Sequence, residues 1–504
     1  MFNLVKNELI KIFSKKAIYV ILIIFLLLSI ASVALNKVIE NISNVGYNYI
    51  DQELSIMKES LKQVNKSTPE GKEEYSYLQS HIEYLELQKK YGANSWQSTI
   101  VSNELYDKIM NLNYYKNGLV EYVKENDVTL EELQEEYDDI IKKLDEGDWK
   151  AFAKTDLEKV KTQLEFTENE IKGNMDTDTL NSLKQEAEVL KLKLQVLEWR
   201  LEKDICYGDK DYEILLTHYE SNGSSLINYN YTYDINENNY KEKEGKDYNY
   251  SAKKQYQETL AEYNIAKYKI ENNISSKTTV SETLQTLFTG GGDGILFLII
   301  IALMLTGGIV SEEFNKGTIK LLLIRPYSRR KILASKIIAC FITLIFSILI
   351  ITIIQIIFSG IMYGFDTINA PIIEYNYNTN SVISVNGIVS MLIGLLQMSP
   401  LVIILALIAF MIGTICANTA VAIVVSFLAY FVSSIVNSLV MEFQIKWLKI
   451  VPTLNWDLTQ YAYGKLPTVE GMTLGFSILI CAITIISLLV ITFENFARKN
   501  IKNV

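Results

Sequence analysis

The chain has 504 residues, of which 49% are hydrophobic, and a formal net charge of −10. The charge is unevenly spread: residues 37–294 contain 31 basic and 49 acidic residues, a net −18, while the rest contains 17 and 9, a net +8. An acidic segment of this size repels phosphate, which argues against nucleic-acid binding. The four cysteines and two histidines lack the spacing of a disulfide framework or a zinc site, so we predict no metal.

Residues 1–16 predict an amphipathic helix that lies in the cytoplasmic membrane interface, with most of its lysines off the apolar face. That face consists of Phe2, Val5, Leu9, Ile12 and Phe13. Residues 17–36 predict the first transmembrane helix, because 17–34 are uncharged and nearly long enough to cross a bilayer core. The alternative is a cleaved signal peptide. A retained anchor is favoured because the apolar run and the leader before it are long.

Residues 37–293 predict a large extracellular domain that is mainly helical and coiled-coil-like. Apolar side chains recur there at helical spacing, as in Leu183, Leu190, Leu194, Leu197 and Leu201. Narrow stripes of this kind are typical of helical hairpins and short coiled coils, and bundle packing explains them as well as a partner-binding zipper does. An Asn- and Tyr-rich run at 222–250 interrupts the pattern. We expect a variable loop or small hairpin there rather than an aromatic ligand surface.

Five more apolar runs predict transmembrane helices at 294–311, 337–360, 387–413, 418–440 and 472–493. A turn at 416–419 separates two of them within the block 337–440, which holds transmembrane helices 3–5. An extracellular excursion follows at 441–471, and a tail at 494–504. The fold class is therefore an all-α membrane protein with six transmembrane helices. Just before the second span, the glycine-rich run 290–294 is expected to be a flexible hinge.

The distribution of basic residues predicts the orientation of these spans. The leader, the 312–336 loop and the tail together hold fourteen Lys or Arg, against three in the opposite loops, 361–386 and 441–471. The positive-inside rule then places both termini and the 312–336 loop in the cytoplasm, and 37–293 outside.

We find no sequence pattern for catalysis in this chain. A phosphate-binding loop is missing, since none of the Gly-Lys pairs is followed by Ser or Thr. Neighbouring carboxylates such as Glu135 and Glu136 fit the solvated face of an acidic helix. The chain is therefore not predicted to be an enzyme.

The cytoplasmic loop 312–336 is the most informative segment. It reads as a short amphipathic helix, with acidic residues near its start and Pro326 at its end. A plain positive-inside loop is the simpler alternative. The order of Glu, Gly-Thr, a leucine run, Pro, Arg and a distal Lys resembles the signature of type II ATP-binding-cassette (ABC) exporter permeases. The resemblance extends to the plan of the chain, with an interfacial leader, six spans and an outer excursion between the fifth and sixth. The large domain after span 1 departs from it.

The resemblance implies that this loop carries a coupling helix that docks on a separate ABC ATPase subunit. The contact would then be formed by Glu312, Glu313, Phe314, Gly317, Thr318, Leu321, Leu322 and Leu323. The return into the third span would be set by Pro326, Arg329 and Lys336. ATP and Mg would be bound by the partner ATPase, and a second permease subunit, identical or different, would complete the assembly within the membrane lipid.

Three polar residues fall within otherwise apolar spans: Gln355, Gln397 and Asn437. They would either line a substrate path or bond neighbouring helices. Span 5 also carries a stripe of small residues, Ala422, Ser426, Ala429 and Ser433, which suits packing within the monomer or a dimer interface equally well.

We therefore expect a permease subunit of an ABC exporter that moves an amphipathic or lipophilic substrate, such as a cationic peptide or antibiotic, and so contributes to antimicrobial peptide resistance. The alternative is a membrane-anchored coiled-coil scaffold or sensor of the cell envelope, which needs only two anchors. An ion-coupled transporter is the third candidate; it requires charges buried in the membrane, and the predicted spans contain none.

Overall fold

The structure is a computed structural model that describes residues 1–16, 18–28, 31, 45–123, 129–236, 239–242, 250–289, 292–319 and 327–499. The chain divides into two compact units. The membrane unit comprises Met1–Val33, Thr232–Tyr268 and Lys277–Val504. The insert unit comprises Ala34–Tyr231 and Lys269–Ser276.

The helices and strands are numbered in chain order. The first half of the chain has α1 (Phe2–Phe13), α2 (Ile18–Leu28), α3 (Val45–Gln63), α4 (Pro69–Tyr91), α5 (Trp96–Ile100), α6 (Tyr106–Lys116), α7 (Leu130–Glu146), α8 (Trp149–Glu170), α9 (Thr177–Lys203), α10 (Glu213–Thr232), β1 (Tyr233–Asn236) and β2 (Asn239–Glu242). The second half has α11 (Tyr250–Glu271), α12 (Val280–Thr286), α13 (Asp293–Asn315), α14 (Arg329–Tyr363), β3 (Pro371–Asn376), β4 (Ser381–Asn386), α15 (Gly387–Cys416), α16 (Thr419–Phe443), α17 (Pro452–Asn455) and α18 (Leu474–Arg498).

The insert unit is built from antiparallel helix pairs, as the apolar stripes predict. In the chain from α3 to α7, α4 packs on α3 and α6, and α7 packs on α6, while α8 and α9 form a long hairpin. One core cluster in this unit is formed by Leu87, Ile100, Val101, Leu105, Ile109, Ile140, Leu144 and Phe152. Local signals set the helix ends: Thr129 and Glu132 form a capping box before α7, and Gly147 ends that helix with φ +71°.

The membrane unit is organised around α13. Five helices, α13, α14, α15, α16 and α18, are long and apolar enough to cross a membrane, and 83% of the most apolar stretch of α13 is buried. Glycines permit its close approach to α15: a Cβ on Gly413 would lie 2.6 Å from the carbonyl oxygen of Gly307. α16 also approaches α13 closely here: a Cβ on Gly307 would lie 3.2 Å from the Cβ of Ala422. The small-residue stripe of span 5 therefore packs within the monomer at this point.

The predicted all-α membrane class is confirmed at this level: the described residues contain five helices long and apolar enough to cross a membrane, together with two small hairpins. The described part of the first predicted span is the short apolar helix α2, so the count of six spans stays a prediction. The turn between spans 4 and 5 is confirmed, since Ala417 ends α15 with φ +53° and the Asn418 side chain accepts hydrogen bonds at the start of α16. α15 is continuous through Pro400.

Two local expectations can be compared with the structure. The small hairpin expected in the Asn- and Tyr-rich run is present as β1–β2, but α10 continues to Thr232, well into that run, before the hairpin begins. The expected hinge before α13 is closely packed where the structure describes it: a Cβ on Gly292 would lie 1.9 Å from the Thr286 carbonyl oxygen. Glycine is needed there for close backbone approach, which sequence alone does not distinguish from flexibility.

Candidate functional site

Four charged side chains from three chain segments form a closed ring at one end of the membrane unit. The ring consists of Glu8 on α1, Lys11 on α1, Glu313 in the last turn of α13 and Lys336 near the start of α14. Lys336 Nζ lies 2.9 Å from Glu8 Oε2 and 2.8 Å from Glu313 Oε1. Lys11 Nζ lies 3.3 Å from Glu8 Oε1 and 3.0 Å from Glu313 Oε1. The charges therefore alternate around the ring and sum to zero.

The ring is largely withdrawn from solvent. Lys336 has no exposed surface, and Glu8 and Glu313 are 6% and 8% exposed. Buried charges are tolerated only when paired, and here each carboxylate has two ammonium partners. Lys336 also donates a hydrogen bond to the Ile309 carbonyl oxygen at 3.4 Å. Within the described residues the second oxygen of Glu313, Oε2, is buried and accepts no hydrogen bond.

Lys11 is the half-exposed member of the ring, and its pKa reflects this position. Burial by itself lowers the pKa of an ammonium group, but the Glu313 and Glu8 carboxylates outweigh that effect and raise the pKa of Lys11 above its ordinary value. Lys11 therefore stays charged at physiological pH.

The sequence explains why these segments meet. Leu4, Val5 and Ile12 are buried on the same face of α1 as Glu8, so the carboxylate points with the apolar side chains into the protein. Glu312 and Glu313 stand at the C-terminal end of α13, where the helix dipole disfavours negative charge. α13 has no basic residue in its last turn, so lysines on α1 and α14 neutralise the charge of these carboxylates.

Two further ion pairs lie next to the ring, and both involve Glu312. Lys15 Nζ lies 2.6 Å from Glu312 Oε1, and Lys316 Nζ lies 3.5 Å from Glu312 Oε2. These groups, with Glu8, Lys11 and Glu313, line a cleft of about 330 Å³ between α1 and the end of α13.

The structure corrects the helix predicted for the start of the 312–336 loop. Glu312, Glu313 and Phe314 belong to the last turn of α13, and Gly317 follows the end of that helix with φ +67°. The acidic pair therefore closes a membrane helix and does not open a separate one. Lys316, Gly317 and Thr318 are exposed, whereas Phe314 is buried.

The remaining predicted coupling residues fall into two groups. Leu321, Leu322, Leu323 and Pro326 lie outside the described residues. Arg329 begins α14 and donates hydrogen bonds to the carbonyl oxygens of Ala497 and Lys499, at 3.1 and 2.8 Å. Lys336 is the buried centre of the ring.

The tail adds contacts at the same end of the membrane unit. Lys499 Nζ donates to the carbonyl oxygens of Thr414 and Ile415, at 2.8 and 2.9 Å, and lies 4.4 Å from the centroid of the Phe314 ring. An ammonium group at the C-terminal end of α15 also complements the helix dipole. Basic residues therefore connect the C-terminal ends of α13, α15 and α18 with the start of α14.

The three polar residues predicted for a substrate path are not brought together by any contact in the described residues. Asn437 Nδ2 donates to the Thr453 carbonyl oxygen at 3.0 Å, so it bonds a neighbouring segment. Gln397 lines a separate cleft with residues of α12 and β3. Gln355 is half-buried on α14, and its backbone carbonyl oxygen accepts a hydrogen bond from Ser359 Oγ at 2.6 Å.

Sequence reasoning missed Glu8 and the pairing role of Lys336. Glu8 could have been found from the sequence, because it lies four residues from both Leu4 and Ile12 and interrupts an apolar helical face. The predicted face included Phe2, which is 80% exposed, and omitted Leu4, which is buried. Within the described residues no group of three or more His, Cys, Asp or Glu side chains could hold a metal ion.

Comparisons with known proteins assign the chain to a family without assigning an activity. The family described as Protein of unknown function (DUF2705) matches residues 278–502. The Bacillus subtilis (strain 168) protein named Uncharacterized protein YhcI is 31% identical over 253 residues, which are 50% of this chain and 79% of the relative. The Uncharacterized membrane protein YdbK of the same organism is 30% identical over 211 residues, 41% of this chain and 79% of the relative. No solved structure matches the chain.

Both relatives are shorter than this chain, since the aligned residues make up 79% of each relative but only 50% and 41% of the chain. The family match begins at residue 278, where the membrane unit resumes after the insert unit. With its apolar helices and a relative that is named a membrane protein, the chain is a multi-pass membrane protein. It belongs to the same family as YhcI.

Proposed function

We propose that the chain is the permease subunit of an ABC exporter, powered by a separate ATPase that binds ATP and Mg. The observation that carries the proposal is the buried ring of Glu8, Lys11, Glu313 and Lys336. A docked ATPase that displaces the 312–336 loop also displaces the last turn of α13. Through the ring, this motion reaches α1 and α14 directly. A scaffold or sensor needs only membrane anchors, so it does not require α1, α13 and α14 to be linked in this way.

The proposal includes the orientation of the chain. Fourteen basic residues in the leader, the loop and the tail, against three in the opposite loops, favour cytoplasmic termini. Residues 37–293 are then extracellular, and α2 belongs to the first of six spans. Two permease subunits and two ATPases complete the assembly. The ring accounts for its charges by mutual pairing at the end of the spans, so it gives no support to ion coupling.

The proposed cargo is amphipathic or lipophilic, and the class that fits best is a cationic peptide or antibiotic. The spans are apolar, with only scattered Gln, Asn and Ser, which suits a molecule taken from the bilayer better than a bare ion. The net −18 of residues 37–294 attracts cations at low ionic strength.

Copurification tests the ATPase partnership. The full-length chain is isolated from its own membranes, and an ATPase with a phosphate-binding loop is expected to accompany it. Lys316→Glu reverses an exposed charge just after α13 and should release the ATPase. Lys446→Glu reverses an equally exposed charge in the excursion and should retain it. If no ATPase copurifies with the wild-type chain, or both variants behave alike, the proposal is wrong.

The cargo class has its own assay. The reconstituted complex is given cationic amphipathic peptides, neutral lipophilic drugs and sodium ions in parallel, and ATP hydrolysis is measured. Stimulation by the cationic peptides above the neutral drugs is expected. Equal responses, or stimulation by sodium alone, would reject the cationic peptide while leaving the exporter assignment intact.

A further inference from the structure

A second cleft of about 360 Å³ lies in the membrane unit, away from the ring. It is lined by residues of α12, β3, α15 and the segment 459–465 that follows α17. Its volume is at the lower end of the range for small-molecule sites, about 300–1,000 Å³. It can therefore hold a small ligand or the end of a longer one.

Contacts between the segments that line this cleft hold its walls in place. A Cβ on Gly394 would lie 3.0 Å from Thr289 Cγ2, so α15 and the residues after α12 are closely packed. Tyr377 donates its backbone N–H to the Tyr463 carbonyl oxygen at 2.9 Å, which ties the 459–465 segment to the end of β3. A pre-formed cleft loses little conformational freedom when a ligand binds.

One carboxylate and one ammonium group line the cleft. Glu374 on β3 accepts a hydrogen bond from Gln285 Nε2 through its oxygen Oε1. In the described part of the chain its other oxygen, Oε2, accepts none, and Lys465 forms no ion pair. Gln285 therefore orients the Glu374 carboxylate and leaves one of its oxygens available.

The other polar lining groups are neutral. Gln397 has an amide, Ser390 and Tyr463 have hydroxyl groups, and none of these three side chains is hydrogen-bonded within the described residues. Ser390 is 8% exposed, so its hydroxyl is withdrawn from bulk solvent. Amides and hydroxyls can both donate and accept, which matches the N–H and C=O groups of a peptide backbone.

We propose that this cleft binds a short zwitterionic peptide, or the free end of a longer one. Glu374 binds the ammonium group, Lys465 faces the carboxylate, and Gln397, Ser390 and Tyr463 bond the amides between them. A phospholipid headgroup fits less well, because its phosphate would meet the Glu374 carboxylate as well as the Lys465 ammonium group. The site is defined without reference to an ATPase, so peptide binding and the transport proposal can each fail alone.

The experiment measures binding of trialanine to the full-length chain in lipid nanodiscs by calorimetry. Saturable binding is expected, and N-acetylation of the peptide should weaken it about tenfold or more, as expected for loss of a hydrogen bond to a charged group. Glu374→Gln should weaken trialanine to the same extent and should leave N-acetyl-trialanine unchanged. Lys465 is exposed, so Lys465→Gln should weaken trialanine by about threefold and trialanine amide not at all.

Lys446→Gln is the matched control, since Lys446 is an exposed lysine of the same excursion that pairs with Glu470 instead of lining the cleft. It should bind trialanine like the wild type. Thermal unfolding of each variant shows whether the fold is kept; Gln at position 374 can still accept the Gln285 hydrogen bond. Absence of saturable binding, equal affinity for the free and blocked peptides, or tighter binding of glycerophosphoethanolamine than of trialanine would overturn the proposal.

Discussion

Removal of the Lys336 charge is expected to destabilise the membrane unit strongly. Its Nζ lies within 2.9 Å of two carboxylates, on Glu8 and Glu313, that are themselves less than a tenth exposed. Lys336→Met keeps an unbranched chain and removes the ammonium group, so both carboxylates lose a partner. Breaking a buried ion pair costs about 3–5 kcal/mol. Lys11 remains 3.0 and 3.3 Å from the same carboxylates, so we expect the lower end, about 3 kcal/mol.

The assay is reversible unfolding of the full-length chain in mixed micelles, followed by circular dichroism. Lys11→Met is the control, because that side chain is 52% exposed and should lower the free energy of unfolding by about 1 kcal/mol or less. Combining Lys336→Met with Glu8→Gln removes one of the two carboxylates that lost a partner and should recover part of the loss. The reasoning is refuted if Lys336→Met is no worse than Lys11→Met, or if the second substitution adds to the damage.

Three further predictions follow from single features. Gly317 has φ +67° and no atom within 4 Å of a Cβ position, so Gly317→Ala should cost about 1–2 kcal/mol by backbone strain alone in the same unfolding assay, and Gly317→Asn less. In a cysteine-free background, impermeant thiol reagent applied to intact cells should label Ser225→Cys and spare Ser328→Cys; the reverse would overturn the orientation. Burial raises the pKa of Glu104, an effect that Lys159 only partly opposes, so ionisation of this carboxyl lowers stability as pH rises through its folded pKa. Glu104→Gln should therefore raise the Tm at pH 7 and lose this advantage in acid, whereas an equal gain at both pH values would contradict the assignment.

The apolar runs predicted most of the membrane unit. Runs of uncharged residues identify spanning helices because an apolar helix of sufficient length is stable in a bilayer whatever its neighbours. The turn at 416–419 was also predictable, since the uncharged stretch between Glu374 and Glu442 is long enough for two spans and Asn418 is a good cap. The hairpin β3–β4 was not, because six-residue strands outside the spans depend on pairing with each other.

The candidate site was predicted only in part. Glu312, Glu313, Phe314 and Lys336 were singled out by resemblance, but their roles depend on long-range pairing that residue order does not reveal. Glu313 and Lys336 are 23 positions apart, and Glu8 is 328 residues from Lys336. The sequence analysis ended this helix too early, because Glu312 and Glu313 favour the start of a helix. The lysines that neutralise them at the end of α13 come from distant segments.

The composition of the ring bears on its purpose. An ion pair in a protein interior contributes little net stability compared with apolar side chains of similar volume, because desolvation of the charges offsets their attraction. An apolar contact between α1, α13 and α14 would therefore hold these segments as firmly, but it would tolerate small shifts between them. Four alternating charges within 3.3 Å of their partners do not, since displacement of any one of the three helices breaks two of the four ion pairs. We infer that the ring fixes the position of α1 on α13 and α14, so that a displacement at the 312–336 loop moves the three segments together.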